Sequence, residues 1–323
     1  MNTSRVRELA EHIMKHAKYL SIDKGRAQEV AGMLKNFDLV LPKWNFPGFY
    51  PQSDDFEEMC KFYLLFNSIN YCYYDQDGNK FQDGDKSGST LACSRLTEFW
   101  DELQKPEFLI NVDENFLLNE LFRAERPISL VKERVVALRE VARFYNQNLE
   151  TSEVMRKFFL RFRKDAYVIS QAIPIFFPTW SDPFYKRAQL FVGMIYGRFQ
   201  DLEDLPIKKE TLQDLTVPAD YVLPKNLIGM GIIKPYLELS NRIYGRVFIP
   251  SGSQAELEIR AATIVSADLL LEELKKIKND TSLHVFHVDY LLWMASRPNF
   301  EGLPKEVFRN LMPTNHLTYT TDY

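Results

Sequence analysis

The chain has 323 residues, 46% of them hydrophobic and 26% charged, and carries a formal net charge of -4. That balance supports a packed core, which excludes a disordered chain. It also lacks the dense basic footprint by which duplex nucleic acid is held. The longest apolar runs, such as 172–177, fall far short of the roughly 20 residues that span a bilayer.

The N-terminus runs from Met1 into a charged amphipathic pattern with no apolar signal core, so the expected location is the cytoplasm. Apolar residues then recur at helical spacing, predicting helices over 5–20, 56–68, 129–146, 152–172, 184–199 and 256–277. The one β signal is the aromatic run Tyr71-Cys72-Tyr73-Tyr74, followed by the polar turn 75–79 and then Lys80-Phe81; it predicts a small hairpin near residues 71–82. Prolines 178, 183, 218, 224 and 235 cut the second half into segments joined by short turns. With no repeat of 20 to 50 residues and no flexible linker, the chain reads as mainly α and as a single compact helical domain over residues 1–323.

Three cysteines, Cys60, Cys72 and Cys93, are too few for a disulfide framework and match no zinc spacing, so they are expected to be reduced and mostly buried. The 75–86 loop has Lys80 and Lys86 where a calcium loop needs Gly and Glu. His284, His287 and Asp289 lack a further ligand at metal-binding spacing. No metal site is expected. Gly229-Met230-Gly231 is no dinucleotide fingerprint. It reads either as a glycine turn between core helices or as a hairpin whose amides approach a phosphate.

Four short motifs stand in order in the second half. They are Phe184-Tyr185-Lys186-Arg187-Ala188-Gln189, Ala219-Asp220-Tyr221 with Leu223-Pro224, Glu256-Leu257-Glu258-Ile259-Arg260, and Asp289-Tyr290 before Leu292-Trp293. In order and spacing the set resembles the queuosine 5'-phosphate N-glycosylase family of queuosine salvage. The likeness extends to Leu130-Val131 with Glu133-Arg134, Phe177-Pro178 and Asn70-Tyr71-Cys72-Tyr73-Tyr74.

The resemblance implies a DNA-glycosylase-like helical fold and hydrolysis of queuosine 5'-monophosphate to queuine and ribose 5-phosphate, with no metal or organic cofactor. It further implies Asp220 as catalytic carboxylate, Lys186 in the substrate site, and Asp289 and Tyr290 on the base, with Lys225, Leu227 and Met294 completing the substrate-binding set. The partner implied is a small nucleotide bound by a monomer, with no stable nucleic acid and no membrane. The chemistry agrees: cleaving an N-glycosidic bond builds positive charge on the ribose, which an ionised carboxylate stabilises. The carboxylate of Asp289 can accept the two donors on the pairing edge of a 7-deazaguanine. Plainer readings stand beside these: Asp220 as a helix cap, Asp289-Tyr290 as an ordinary buried helix over 285–295, Lys186 or Arg187 on a solvated face, and Glu256–Arg260 as an intrahelical ion pair.

Two positions depart from the family pattern. Lys225 stands where family members carry Gln, and Met294 where some carry an Asp. A Gln donates and accepts whereas Lys only donates, so the base could be another 7-deazapurine. The remaining alternatives are a non-catalytic helical nucleic-acid-binding module, against which the acidic balance counts, and an interaction scaffold, in which the 14% aromatic content would form exposed patches.

Overall fold

A computed structural model describes residues 4–148, 151–297, 302–310 and 313–323. They form a mainly α structure whose chain packs as two units, the first built from residues 1–41 and 212–319 and the second from 42–211 and 320–323.

The first unit opens with α1 (Arg5–Lys15), β1 (Leu20–Ile22) and α2 (Lys24–Met33). The chain then builds the second unit from α3 (Phe56–Ile69), β2 (Gln82–Asp83), β3 (Lys86–Ser87), α4 (Gly88–Glu98), three short turns α5 (Trp100–Leu103), α6 (Pro106–Leu109) and α7 (Glu114–Phe116), and the longer α8 (Val131–Asn146), α9 (Val154–Arg161), α10 (Ala166–Phe176) and α11 (Lys186–Phe199). It returns to the first unit with α12 (Val222–Gly229), β4 (Ile233–Pro235), α13 (Leu237–Tyr244), α14 (Gln254–Lys278) and α15 (Val285–Met294).

The 25-residue α14 is the spine of the first unit, with α1, α2, α12 and α15 packed around it. Its start is fixed twice. Ser253 caps it through the Glu256 amide, and buried Glu258 accepts the Lys18 and Tyr19 amides at 2.8 Å each. The second clamp places β1, which pairs antiparallel with β4 in the register Leu20↔Pro235, Ser21↔Lys234 and Ile22↔Ile233.

The second unit has an aromatic core. Phe56, Phe62, Phe144, Phe158, Phe159, Trp180 and Phe191 are buried in mostly edge-to-face and tilted contacts, the arrangement that ring quadrupoles favour. All three cysteines are free and buried, as expected. Helix α11 lies so close to the 42–44 segment that a Cβ on Gly197 would come within 2.3 Å of Trp44 Cζ3 and 2.4 Å of the Pro42 carbonyl oxygen. Gly197→Ala therefore costs roughly 1–3 kcal/mol from overpacking; a urea midpoint equal to that of the parent would refute the close approach.

The region predicted to be one helix over 152–172 is two. Arg163 and Lys164 both take left-handed backbone (φ 59° and 61°), and Asp165 then caps α10 through the Val168 amide at 3.0 Å. The hairpin expected near 71–82 closes as a single bridge, Tyr74 with Lys80, and the regular pairing lies just beyond, in β2 and β3.

Candidate functional site

Asp220 lies in the irregular segment that leads into α12. Its Oδ1 accepts the Val222 amide at 2.7 Å and the Leu223 amide at 3.1 Å, satisfying two donors that a helix start leaves unspent. Pro224 follows in the first turn, where a missing N–H breaks no bond. The carboxylate is half-buried at a helix N-terminus, where the helix dipole favours negative charge. Through these two bonds Asp220 caps the start of α12, as the plainer reading of the sequence expects.

Behind Asp220 stands α14. The fully buried Arg260 donates from Nε to the carbonyl of Ala219 at 3.2 Å and lies 3.8 Å from Glu256. The i, i+4 ion pair read from the sequence is present. Buried His316 sits near this guanidinium; burial first, and the Arg260 charge second, push its pKa down to about 3.

Lys225 occupies the next turn of α12, half-buried, and makes no hydrogen bond or ion pair with any described residue. Burial holds its ammonium below the ordinary lysine value of 10.5. A lysine depressed in the folded state binds fewer protons there than when unfolded, so stability rises with pH through the window beneath 10.5. Lys225→Met should therefore stabilise the protein at neutral pH, with a gain that shrinks as pH climbs toward that value. Melting curves at pH 7 and pH 10 test it; a gain that grows with pH would reverse the sign.

Asn226 joins α12 to α15: its Nδ2 donates to the Leu292 carbonyl at 2.7 Å. Leu227 is a core residue, fully buried, and its carbonyl accepts the Ile232 amide at 2.9 Å. On α15, Asp289 is buried and Tyr290 half-buried. The Tyr290 ring is stacked on Trp293 (6.2 Å, 17°), the Arg297 guanidinium lies 3.6 Å from the centre of the Trp293 ring, and Met294 is one turn after Tyr290. Spacings of three and four residues put Tyr290, Trp293 and Met294 on one face of α15 as an aromatic ledge, over which Arg297 folds back from the turn after the helix.

The glycine patch is a turn. Gly231 has φ 79°, and the amides of Met230, Gly231 and Ile232 are bonded within the turn to Asn226, Ile228 and Leu227 carbonyls. A phosphate would find no free amide there. At the start of α15 His287 Nδ1 accepts the His284 amide at 3.2 Å, and among the described residues no group of three or more His, Cys, Asp or Glu side chains could hold a metal ion.

Six of the seven expected site residues thus lie in the first unit, on α12, α15 and the segment before α12. Lys186 lies in the second, at the start of α11, buried, with Nζ donating to the Asn70 carbonyl at 3.0 Å. Arg187, the next residue, donates to the Ser68 and Thr179 carbonyls, and burial lowers its pKa to about 10. Sequence reasoning missed His316 and Arg297, which stand outside every motif, and the bond from Arg260 to Ala219, which joins residues 41 apart in the chain.

The Asp220 carboxylate before α12, the Asp289 carboxylate and aromatic ledge of α15, and the Lys225 ammonium, which makes no ion pair with any described residue, are group types that stabilise a cationic sugar and hold a flat, donor-bearing ring. A queuosine 5'-phosphate N-glycosylase/hydrolase from Sphaerobacter thermophilus is 28% identical over 303 residues, spanning 87% of this chain and 88% of its own. Proteins of the same name from Dictyostelium discoideum (27% over 257 residues; 77% and 76%) and Nematostella vectensis (24% over 339 residues; 90% and 92%) are also similar. The sequence model of the queuosine salvage protein family matches residues 49–310, and the chain belongs to that family.

Proposed function

We propose that this protein hydrolyses the N-glycosidic bond of queuosine 5'-monophosphate, releasing queuine and ribose 5-phosphate for salvage of the base. The observation that carries the reading is the family match over residues 49–310, which includes both Asp220 at the head of α12 and Asp289-Tyr290 on α15. The bond from the ribose anomeric carbon to the base nitrogen breaks with its electron pair leaving on the base. Asp220 stabilises the cationic sugar until water adds its oxygen to the anomeric carbon, and the proton that this water loses ends on the base nitrogen that left. Asp289 accepts the donors on the pairing edge of the base, Tyr290 stacks on its plane, and Lys225 and Met294 adjust which ring substituents are accepted. For Lys186 the support is the family resemblance alone, since its ammonium is already held by Asn70. Leu227 contributes as packing beneath α12. We read residues 1–323 as one catalytic domain because the family match runs through both units, acting as a cytoplasmic monomer without a stable nucleic-acid partner.

The test is incubation of the purified protein with queuosine 5'-monophosphate, with free queuine read by mass spectrometry. Release of queuine with one equivalent of ribose 5-phosphate is the expected result. Folded protein that releases nothing, yet cleaves another 7-deazapurine nucleotide, would move the substrate to that base, with Lys225 and Met294 as the reason.

A further inference from the structure

We propose that Arg260 is a positioning residue for the hydrolysis, fixing the peptide that presents Asp220; the inference rests on the reading of Asp220 given above. Asp220 belongs to a segment with no regular hydrogen-bond ladder, so its orientation depends on individual ties. On its C-terminal side the Val222 and Leu223 amides hold Oδ1. On its N-terminal side Arg260 Nε donates to the Ala219 carbonyl at 3.2 Å.

That donor is well suited to the task. Arg260 is 0% exposed and projects from the long helix around which the first unit packs, so its anchor is rigid. Glu256, one turn earlier on the same helix, orients the guanidinium from 3.8 Å. A charged donor makes a hydrogen bond about twice as strong as a neutral one. His316 stays neutral beside it at working pH, which leaves the guanidinium as the charged member of the pair. A carboxylate held on both sides keeps its orientation while the sugar develops charge, whereas one held on a single side swings with its peptide.

Four full-length proteins decide the matter: wild type, Arg260→Gln, Arg260→Lys and Glu256→Gln. Two readouts are taken, steady-state kinetics on queuosine 5'-monophosphate and hydrogen exchange at the Val222 and Leu223 amides that Asp220 caps. Arg260→Gln should lower kcat about 100-fold, as a misplacement of about 1 Å does, with KM within about twofold. Exchange at those two amides should rise about tenfold while the helix α14 amides stay protected. Arg260→Lys, which keeps a charged donor, should recover most of kcat, and Glu256→Gln should lose about tenfold at unchanged KM. Normal kcat with unchanged exchange overturns the proposal, and so does a joint change of kcat and KM with exchange raised throughout the first unit, which is the signature of a merely structural role. If Arg260→Gln does not fold, the lysine variant and Glu256→Gln carry the test, and an unaltered Glu256→Gln enzyme overturns it. If wild type releases no base, the hydrolysis reading fails, and the exchange comparison alone decides whether Arg260 holds the Asp220 peptide.

Discussion

Asp220→Asn should lower kcat for release of the base about a thousandfold while leaving thermal stability unchanged. The two halves of that expectation come from different oxygen functions. Capping needs only an acceptor at Oδ1 for the Val222 and Leu223 amides, and asparagine supplies one. Stabilising a cationic sugar needs a full negative charge, which asparagine lacks. Asp220→Ala removes both functions, so it should lose activity to the same extent and about 1 kcal/mol of stability besides. Kinetics and a melting curve on the three proteins separate the effects. An asparagine variant that turns over at the parental rate would reduce Asp220 to a helix cap.

Arg134→Met should be the most destabilising single change, costing roughly 3–5 kcal/mol as the loss of a buried charged anchor does. The Arg134 side chain is fully buried in the second unit and donates to the carbonyls of Ile69, Tyr71, Cys72 and Ser129, with its guanidinium 4.3 Å from the Tyr71 ring centre. Methionine fills similar volume but leaves these carbonyls without their donor, and each buried unsatisfied group costs about 1–3 kcal/mol. At about 2–4 °C per kcal/mol, the melting temperature should fall by about 10 °C. A fall of only a degree or two would mean that the loop finds other donors.

The Arg134 clamp accounts for the strand that the aromatic run does not form. Alternating aromatics over 71–74 have the pattern of a strand, yet Cys72 takes φ 34°, its amide bonds to the Tyr323 carbonyl, and the carbonyls around it go to Arg134. A strand needs those groups for a neighbouring strand, so only the Tyr74–Lys80 bridge forms. Helices were legible because periodicity is local: 256–277 was expected and Gln254–Lys278 is found. The break at 163–165 was not, since nothing in the spacing of apolar residues marks two consecutive left-handed residues. Pro224 has the look of a breaker in the sequence, whereas in a first turn it is harmless. In the site, the motif around Asp220 and the pair Asp289-Tyr290 were visible as residue types in order. The Asn226–Leu292 and Arg260–Ala219 bonds join distant segments, and no periodicity encodes them.

The β1–β4 pairing also has a consequence for how the protein comes into being. Leu20 pairs with Pro235, so β1 leaves the ribosome long before its partner strand exists. At about 5–20 residues per second the wait is on the order of ten seconds or more. During that time α1 and α2 lack α14, the helix they pack against, while residues 42–211 of the second unit are already complete. The N-terminal segment is therefore an unpaired edge with exposed apolar faces throughout translation of the middle of the chain, the kind of surface that chaperones hold and that aggregates when they do not. Slow closure of so long a loop makes the assembly of the first unit, the one that carries Asp220, the late step of folding.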